Sequence, residues 1–126
     1  MFICLNPSTA DEVKNDPTVK RCITFAHQWG YGGLYVCNIF GLRSTNPKEL
    51  YSEYDPVGRG NDLVMLQIRT RVEKCVAAWG NHGILKSRGE RVVENLAPLY
   101  CFGLTKLFQP KHPLYLGSNS ELEFWR

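Results

Sequence analysis

Four short apolar runs, at residues 2–5, 34–40, 75–79 and 99–102, are separated by stretches with helical spacing, and this alternation most narrows the folds open to the chain. None of the runs approaches the roughly 20 apolar residues that a membrane span requires. Strands joined by helical crossovers pair in parallel and cross over in one hand, so the pattern predicts βαβ units and a parallel sheet. Between the first two runs, Pro17 suits the first turn of a helix. Val19, Cys22, Ile23, Ala26 and Trp29 then recur near helical spacing until Gly30, Gly32 and Gly33 end it. Asn61 reads as the N-cap of a second crossover helix, with Leu63, Met65, Leu66, Ile68 and Val72 as its apolar stripe and Arg69, Arg71 and Glu73 mostly outside it. Val92, Val93 and Leu96 mark a third helix that starts near residues 85–89 and ends before Pro98; Lys86, Arg88 and Arg91 read as its solvated face. Residues 44–59, with Pro47 and Pro56, read as a long loop carrying a short helix, either a functional surface or plain connection.

The chain has 126 residues, 44% of them hydrophobic and 21% charged, which suits one folded domain over residues 1–126 and argues against disorder. Its five cysteines are an odd number, and Cys4, Cys37, Cys75 and Cys101 fall inside apolar runs. With Cys22, and with no CxxC pair or secretory leader, they read as reduced core residues of a cytoplasmic protein. The three histidines never stand with cysteines at a zinc-ligand spacing, so no metal site is expected. There is no GxxxxGK[ST] loop, and Gly30-Tyr31-Gly32-Gly33 precedes a strand instead of following one, so no nucleotide cofactor is expected. A net charge of +3 permits contact with nucleic acid without requiring it.

The polar residues that follow the runs are the candidates for chemistry: Asn6-Pro7-Ser8-Thr9-Ala10-Asp11 after the first, Asn38 at the end of the second, Gly80-Asn81-His82-Gly83 after the third, and Lys106 through His112-Pro113 after the fourth. In a parallel sheet all four sets lie on the carboxyl edge, where α/β proteins build their pockets. Each also has a plainer reading. Asn6 and Asn38 suit backbone groups at strand ends, His82 suits a turn, and His112 is held extended by Pro113. Trp79 suits core packing, His27 suits solvent, and Asp11, Asp16 and Arg21 are near enough in sequence to form an ion-pair network around the first turn.

Several longer stretches carry a resemblance. Cys4-Leu5-Asn6-Pro7-Ser8-Thr9-Ala10-Asp11, Asp16-Pro17-Thr18-Val19-Lys20-Arg21-Cys22, Trp29-Gly30-Tyr31-Gly32-Gly33-Leu34, Ala78-Trp79-Gly80-Asn81-His82-Gly83, and Gly103-Leu104-Thr105-Lys106 with His112-Pro113-Leu114-Tyr115 resemble the bacterial family known as domain of unknown function 1643. Members of that family generally carry a further segment ahead of the first strand. More distantly, a polar residue with Pro after the first strand, an Asn ending the second and a late His-Pro are similar to the uracil-DNA glycosylase superfamily. That resemblance implies a three-layer αβα sandwich around a four-stranded parallel sheet of order 2-1-3-4. It also implies hydrolysis of an N-glycosidic bond of a nucleobase in DNA or a nucleoside, with Asn6 holding the water and His112 stabilising the leaving base. Asn38 would then read a pyrimidine edge, and Phe40, Trp29 or Tyr31 would stack on the base. Pro7, Ser8, Thr9, Asp11, Arg21, Gly80, Asn81, His82 and Lys106 complete the expected binding set. Leu114 and Tyr115 depart from the small polar residue that usually follows His-Pro and touches phosphate. A non-catalytic module that binds a nucleobase or nucleic acid, and a structural or partner-binding protein, are the competing expectations; neither a cofactor nor a membrane is expected in any of the three.

Overall fold

A computed structural model describes residues 1–12 and 16–126. The apolar runs form strands β1 (Phe2–Cys4), β2 (Val36–Asn38), β3 (Val76–Ala77) and β4 (Tyr100–Cys101), all parallel to their neighbours, and β5 (Glu123–Phe124) is added antiparallel to β4. The sheet order is β2-β1-β3-β4-β5, so the expected four-stranded, wholly parallel sheet is corrected to five strands with one reversed edge. Nothing in the apolar pattern announces β5, because both of its residues are exposed. It is held by backbone, with Leu99 N–H donating to Arg126 O at 2.7 Å and Trp125 N–H to Leu99 O at 2.9 Å.

Alternation along the strands sorts side chains onto two faces. Phe2, Cys4, Val76, Ala78 and Phe102 face helix α1 (Pro17–Gln28), packing on its Cys22, Phe25 and Ala26. Ile3, Leu5, Cys37, Cys75, Ala77, Trp79 and Leu99 face the other way. There they meet Leu50 of α2 (Glu49–Ser52), Met65 of α3 (Asn61–Arg69), and Val92, Val93 and Leu96 of α4 (Arg88–Leu96). Helix α1 begins as its sequence predicts: Pro17 supplies a fixed φ, and Asp16 Oδ1 accepts the Val19 N–H at 3.1 Å.

Trp79 occupies a slot made by glycines. A Cβ on Gly83 would lie 2.1 Å from Trp79 Cδ1, and one on Gly89 would lie 3.0 Å from its Nε1. That nitrogen donates to Gln109 Oε1 at 3.0 Å, so the indole is both packed and satisfied.

Two helical readings need correction. The N-cap of α3 is Gly60, at φ +80°, and not Asn61. The Asn61 amide instead donates to Asn38 O at 2.9 Å and to Val57 O at 3.2 Å, which ties the end of β2 to the following loop. Of the expected stripe Met65 is buried, whereas Leu63 and Leu66 are exposed, because α3 lies at the rim of the core and only one side of it is covered.

Arg88 is likewise not on a solvated face. It is 4% exposed, its Nε donates to Ile39 O at 2.6 Å, and its Nη2 lies 2.7 Å from Asp62 Oδ1. This buried guanidinium joins α4, α3 and the end of β2. Arg88→Ala should lower the unfolding free energy by about 3 kcal/mol, the lower end for a broken buried pair because the Asp62 side chain keeps 43% of its surface in water. Arg88→Met should lose less, since it keeps the packed stem. Urea unfolding of both variants separates the two contributions, and equal losses would show that charge, not packing, carries the effect.

Candidate functional site

The carboxyl ends of β1 and β3, the start of α1 and residues 44–47 enclose a cavity of about 760 Å³. Its first wall is the turn that leaves β1. Asn6 Nδ2 donates to Leu42 O and to Ser44 O, each at 3.0 Å, and Ser44 N–H returns a bond to Pro7 O at 3.0 Å. Arg43 closes the clasp, with Nε on Ser8 O and Nη2 on Thr9 O at 3.0 Å each, and an ion pair to Asp11 Oδ1 at 2.7 Å. Two carbonyl acceptors can be met only by the NH2 end of the amide, so its orientation follows from the hydrogen bonds. Asn6 Oδ1 is left as an acceptor that no donor reaches among the described residues, on a side chain that lines the cavity.

His112 forms the facing wall. Gly80, at φ +75° and ψ −167°, is in a region that only glycine occupies readily, and its N–H donates to Pro110 O at 2.8 Å. A Cβ there would lie 3.5 Å from His112 Cβ, an ordinary contact, so it is the positive φ and not crowding that calls for glycine where the His112 segment passes the end of β3. Pro113 then opens a short 3₁₀ turn, and Leu114 N–H donates to His112 Nδ1 at 3.3 Å. A ring nitrogen that accepts a backbone N–H carries no proton, so the imidazole is neutral with its hydrogen on Nε2. Burial lowers the His112 pKa from the ordinary imidazole value, and the nearby Asp16 carboxylate opposes that shift in part. Asp16 itself is engaged, with Ser8 Oγ donating to Oδ2 at 3.0 Å while Oδ1 caps α1. It is the charged side chain among the described residues lining the cavity.

The third wall follows β3. Asn81 Oδ1 accepts a short bond from Thr105 Oγ1, and His82 Nδ1 lies 3.0 Å from the hydroxyl of Tyr51 on α2.

The structure therefore brings Asn6, Ser8, Thr9, Gly80, Asn81, His82 and His112 to one cavity. Pro7 and Asp11 belong to the same turn but serve its scaffold, through the Ser44 and Arg43 bonds. Six expected residues are elsewhere. Asn38 lies outside the lining and offers its backbone carbonyl to Asn61; Phe40 is fully buried in the core and cannot stack on a ligand. Arg21 donates to Leu116 O and lies 5.4 Å over the Phe25 ring, joining α1 to the segment after Tyr115. Lys106 is exposed in the turn after β4, outside the lining. Trp29 and Tyr31 are at the opposite end of the sheet, where they line a second cavity of about 510 Å³ with Met1, Phe2 and Tyr35. The expected network of Asp11, Asp16 and Arg21 is replaced by three separate contacts, to Arg43, Ser8 and Leu116.

The loop at residues 44–59, read from the sequence as either a functional surface or plain connection, lends Ser44, Thr45 and Pro47 to the cavity lining and Tyr51 to His82, and Tyr115 joins the lining from outside the expected set. Ser44 is buried in a polar loop with no pattern to mark it so. Asp16 and Thr18 had a legible signal, since a helix that follows a strand in a parallel sheet begins at the carboxyl edge.

All five cysteines are free and buried, and burial raises the thiol pKa of Cys37, Cys75 and Cys101, which keeps them protonated and unreactive. The described residues contain no group of three or more His, Cys, Asp or Glu able to hold a metal ion. No helix among them is long and apolar enough to cross a membrane.

Fold and cavity together define a mixed α/β protein with a polar pocket at the carboxyl edge of a mostly parallel sheet. The chain belongs to the family described as Protein of unknown function (DUF1643), whose family model matches residues 1–114. No curated protein and no solved structure matches it.

The His112 environment has a measurable consequence. Its folded pKa lies below its unfolded value of about 6.5, so below that pH the unfolded chain binds more protons than the folded one. The associated stability is complete above about pH 6.5 and is lost as pH falls through that value toward the lowered folded pKa. The Tm of the wild-type chain should thus fall more steeply on acidification from about pH 7 to pH 5.5 than that of His112→Asn, measured by scanning calorimetry. Parallel curves would mean that burial does not penalise the charged ring.

Proposed function

We propose that the cavity acts on a nucleobase joined to a sugar, as an N-glycosidic hydrolase built on a uracil-DNA glycosylase-like fold. The reading rests on one observation: an acceptor oxygen of fixed orientation, Asn6 Oδ1, and the neutral imidazole of His112 stand on the same cavity. In such a reaction water attacks the anomeric carbon, the C–N bond breaks, its electron pair passes to the base, and the proton that the water loses ends on the departing base. Asn6 Oδ1 accepts a hydrogen bond from that water and aims it, although a neutral amide does little to deprotonate it. His112 Nε2–H meets the charge that develops on an oxygen of the departing base, and a neutral imidazole does this without competing for the proton.

A second reading has its own support. Asn6 is a neutral amide, and Asp16, the charged side chain among the described residues lining the cavity, is engaged by Ser8 and by the Val19 N–H, which favours a module that binds a nucleobase-containing small molecule without cleaving it.

Incubation with free nucleosides, and with single- and double-stranded oligonucleotides carrying uracil or hypoxanthine, followed by mass spectrometry of released base, tests the hydrolase. Release should fall on the order of 100-fold or more in His112→Ala, the cost of removing one preorganised donor. Undiminished release in that variant would remove His112 from the chemistry. Binding of a nucleoside with no release from any substrate would select the second reading.

A further inference from the structure

The turn after β3 carries a polar pair that the reaction above does not use. The Tyr51 hydroxyl and His82 Nδ1 are 3.0 Å apart and their rings meet edge to face at 5.7 Å. His82 lines the cavity, whereas Tyr51 stands behind it on α2. The 3₁₀ turn that bears His82 (Asn81–Ser87) is tied to the same loop a second time, by Lys86 Nζ donating to Tyr54 O at 3.4 Å. The ring is therefore held at its outer nitrogen by a residue that does not line the cavity.

We infer that Tyr51 positions His82 so that its Nε2–H points into the cavity as a second fixed donor, opposite the acceptor Asn6 Oδ1, and that this donor discriminates among bound nucleobases. A phenol is a stronger acid than a neutral imidazole, so the Tyr51 O–H donates to Nδ1 and the ring hydrogen resides on Nε2. His112 is in the same tautomer for a different reason, its Nδ1 being taken by a backbone N–H. Two imidazole N–H donors then face one ligand. A base edge bearing carbonyl oxygens satisfies both donors, while an exocyclic amino group presents hydrogens to one of them and leaves that donor unmet. Charged and titratable groups facing His82 are Tyr51 from α2 and, around the cavity, His112, Asp16 and Tyr115.

This inference rests on the nucleobase reading, and the experiment separates the two. Binding of uridine and inosine, whose bases carry carbonyls, is compared by calorimetry with binding of cytidine and adenosine, whose bases carry amino groups at the same positions. The wild-type chain should favour the carbonyl partner of each pair by on the order of five- to ten-fold. Tyr51→Phe and His82→Ala should erase that preference, and His82→Gln, which restores an N–H donor, should recover part of it. A general loosening of the site would weaken all four ligands alike and leave the ratio unchanged. An unchanged ratio in Tyr51→Phe and His82→Ala would overturn the inference while leaving the nucleobase reading intact. Failure of the folded wild-type chain to bind any of the four would overturn both. Long-range proton–nitrogen NMR of the histidine side chains gives an independent check, because an Nδ1–H tautomer at His82 would contradict the donor role.

Discussion

Everything at the carboxyl edge of the sheet depends on how the chain leaves β1, and that exit is held by the amide of Asn6. Its two N–H groups are spent on the carbonyls of Leu42 and Ser44, and Arg43 grips the same turn through Ser8, Thr9 and Asp11. One short polar side chain thus does two things at once. It satisfies carbonyls of a loop that would otherwise lack partners, and in doing so it fixes the orientation of its own oxygen. Glutamine would be too long for this geometry, and aspartate would face two carbonyls with no hydrogen to offer. Of the two readings of Asn6 open from the sequence, the backbone clasp is present in the structure, and it leaves the amide oxygen over as an acceptor.

The two ends of the sheet carry different cavities and keep Trp29 and Tyr31 apart from Asn6 and His112. Trp29 stacks with Phe2, Phe25 and Phe102 and, with Tyr31, lines the cavity at the amino-terminal ends of the strands. The opposite cavity is lined with amides, hydroxyls and two histidines, together with Trp79 and Tyr115. This separation follows from the length of α1. The helix starts at the carboxyl edge with Asp16 and Pro17 and runs antiparallel to the strands, so residues at its far end, Trp29 among them, are carried to the other side of the molecule. No aromatic from that end can reach a base bound near Asn6.

Much of the fold was legible because it depends on patterns of short range. The strands β1 to β4 lie inside the four apolar runs, and α1, α3 and α4 lie close to where helical spacing and capping signals put them. The misses have a common origin. Arg88 looked solvated because its sequence neighbours are polar and basic, and its burial arises from Asp62 and Ile39, both distant in the chain. Strand β5 is two exposed residues long and is held by backbone bonds to β4 and Leu99 and by the edge-to-face contact of Phe124 with Tyr100. Phe40 was a plausible platform by residue type, yet the alternation breaks after β2 and Phe40 joins Cys37 and Ile39 in the core.

The sequence by itself determined which residues would meet at one edge: once the runs are parallel strands, chain direction alone sends Asn6, Gly80, His82 and His112 to the same side. Only the tertiary structure decided which of those edge residues share a cavity and in what chemical state. Asn38 is at the right edge but outside the lining, Tyr51 joins the site from a loop helix, and His112 becomes a neutral Nε2–H donor because Leu114 N–H occupies its other nitrogen. The reason is physical. Edge membership is a property of chain direction, which local patterns encode, whereas burial, tautomer and hydrogen-bond partner depend on groups brought together across tens of residues, and no short stretch of sequence specifies those.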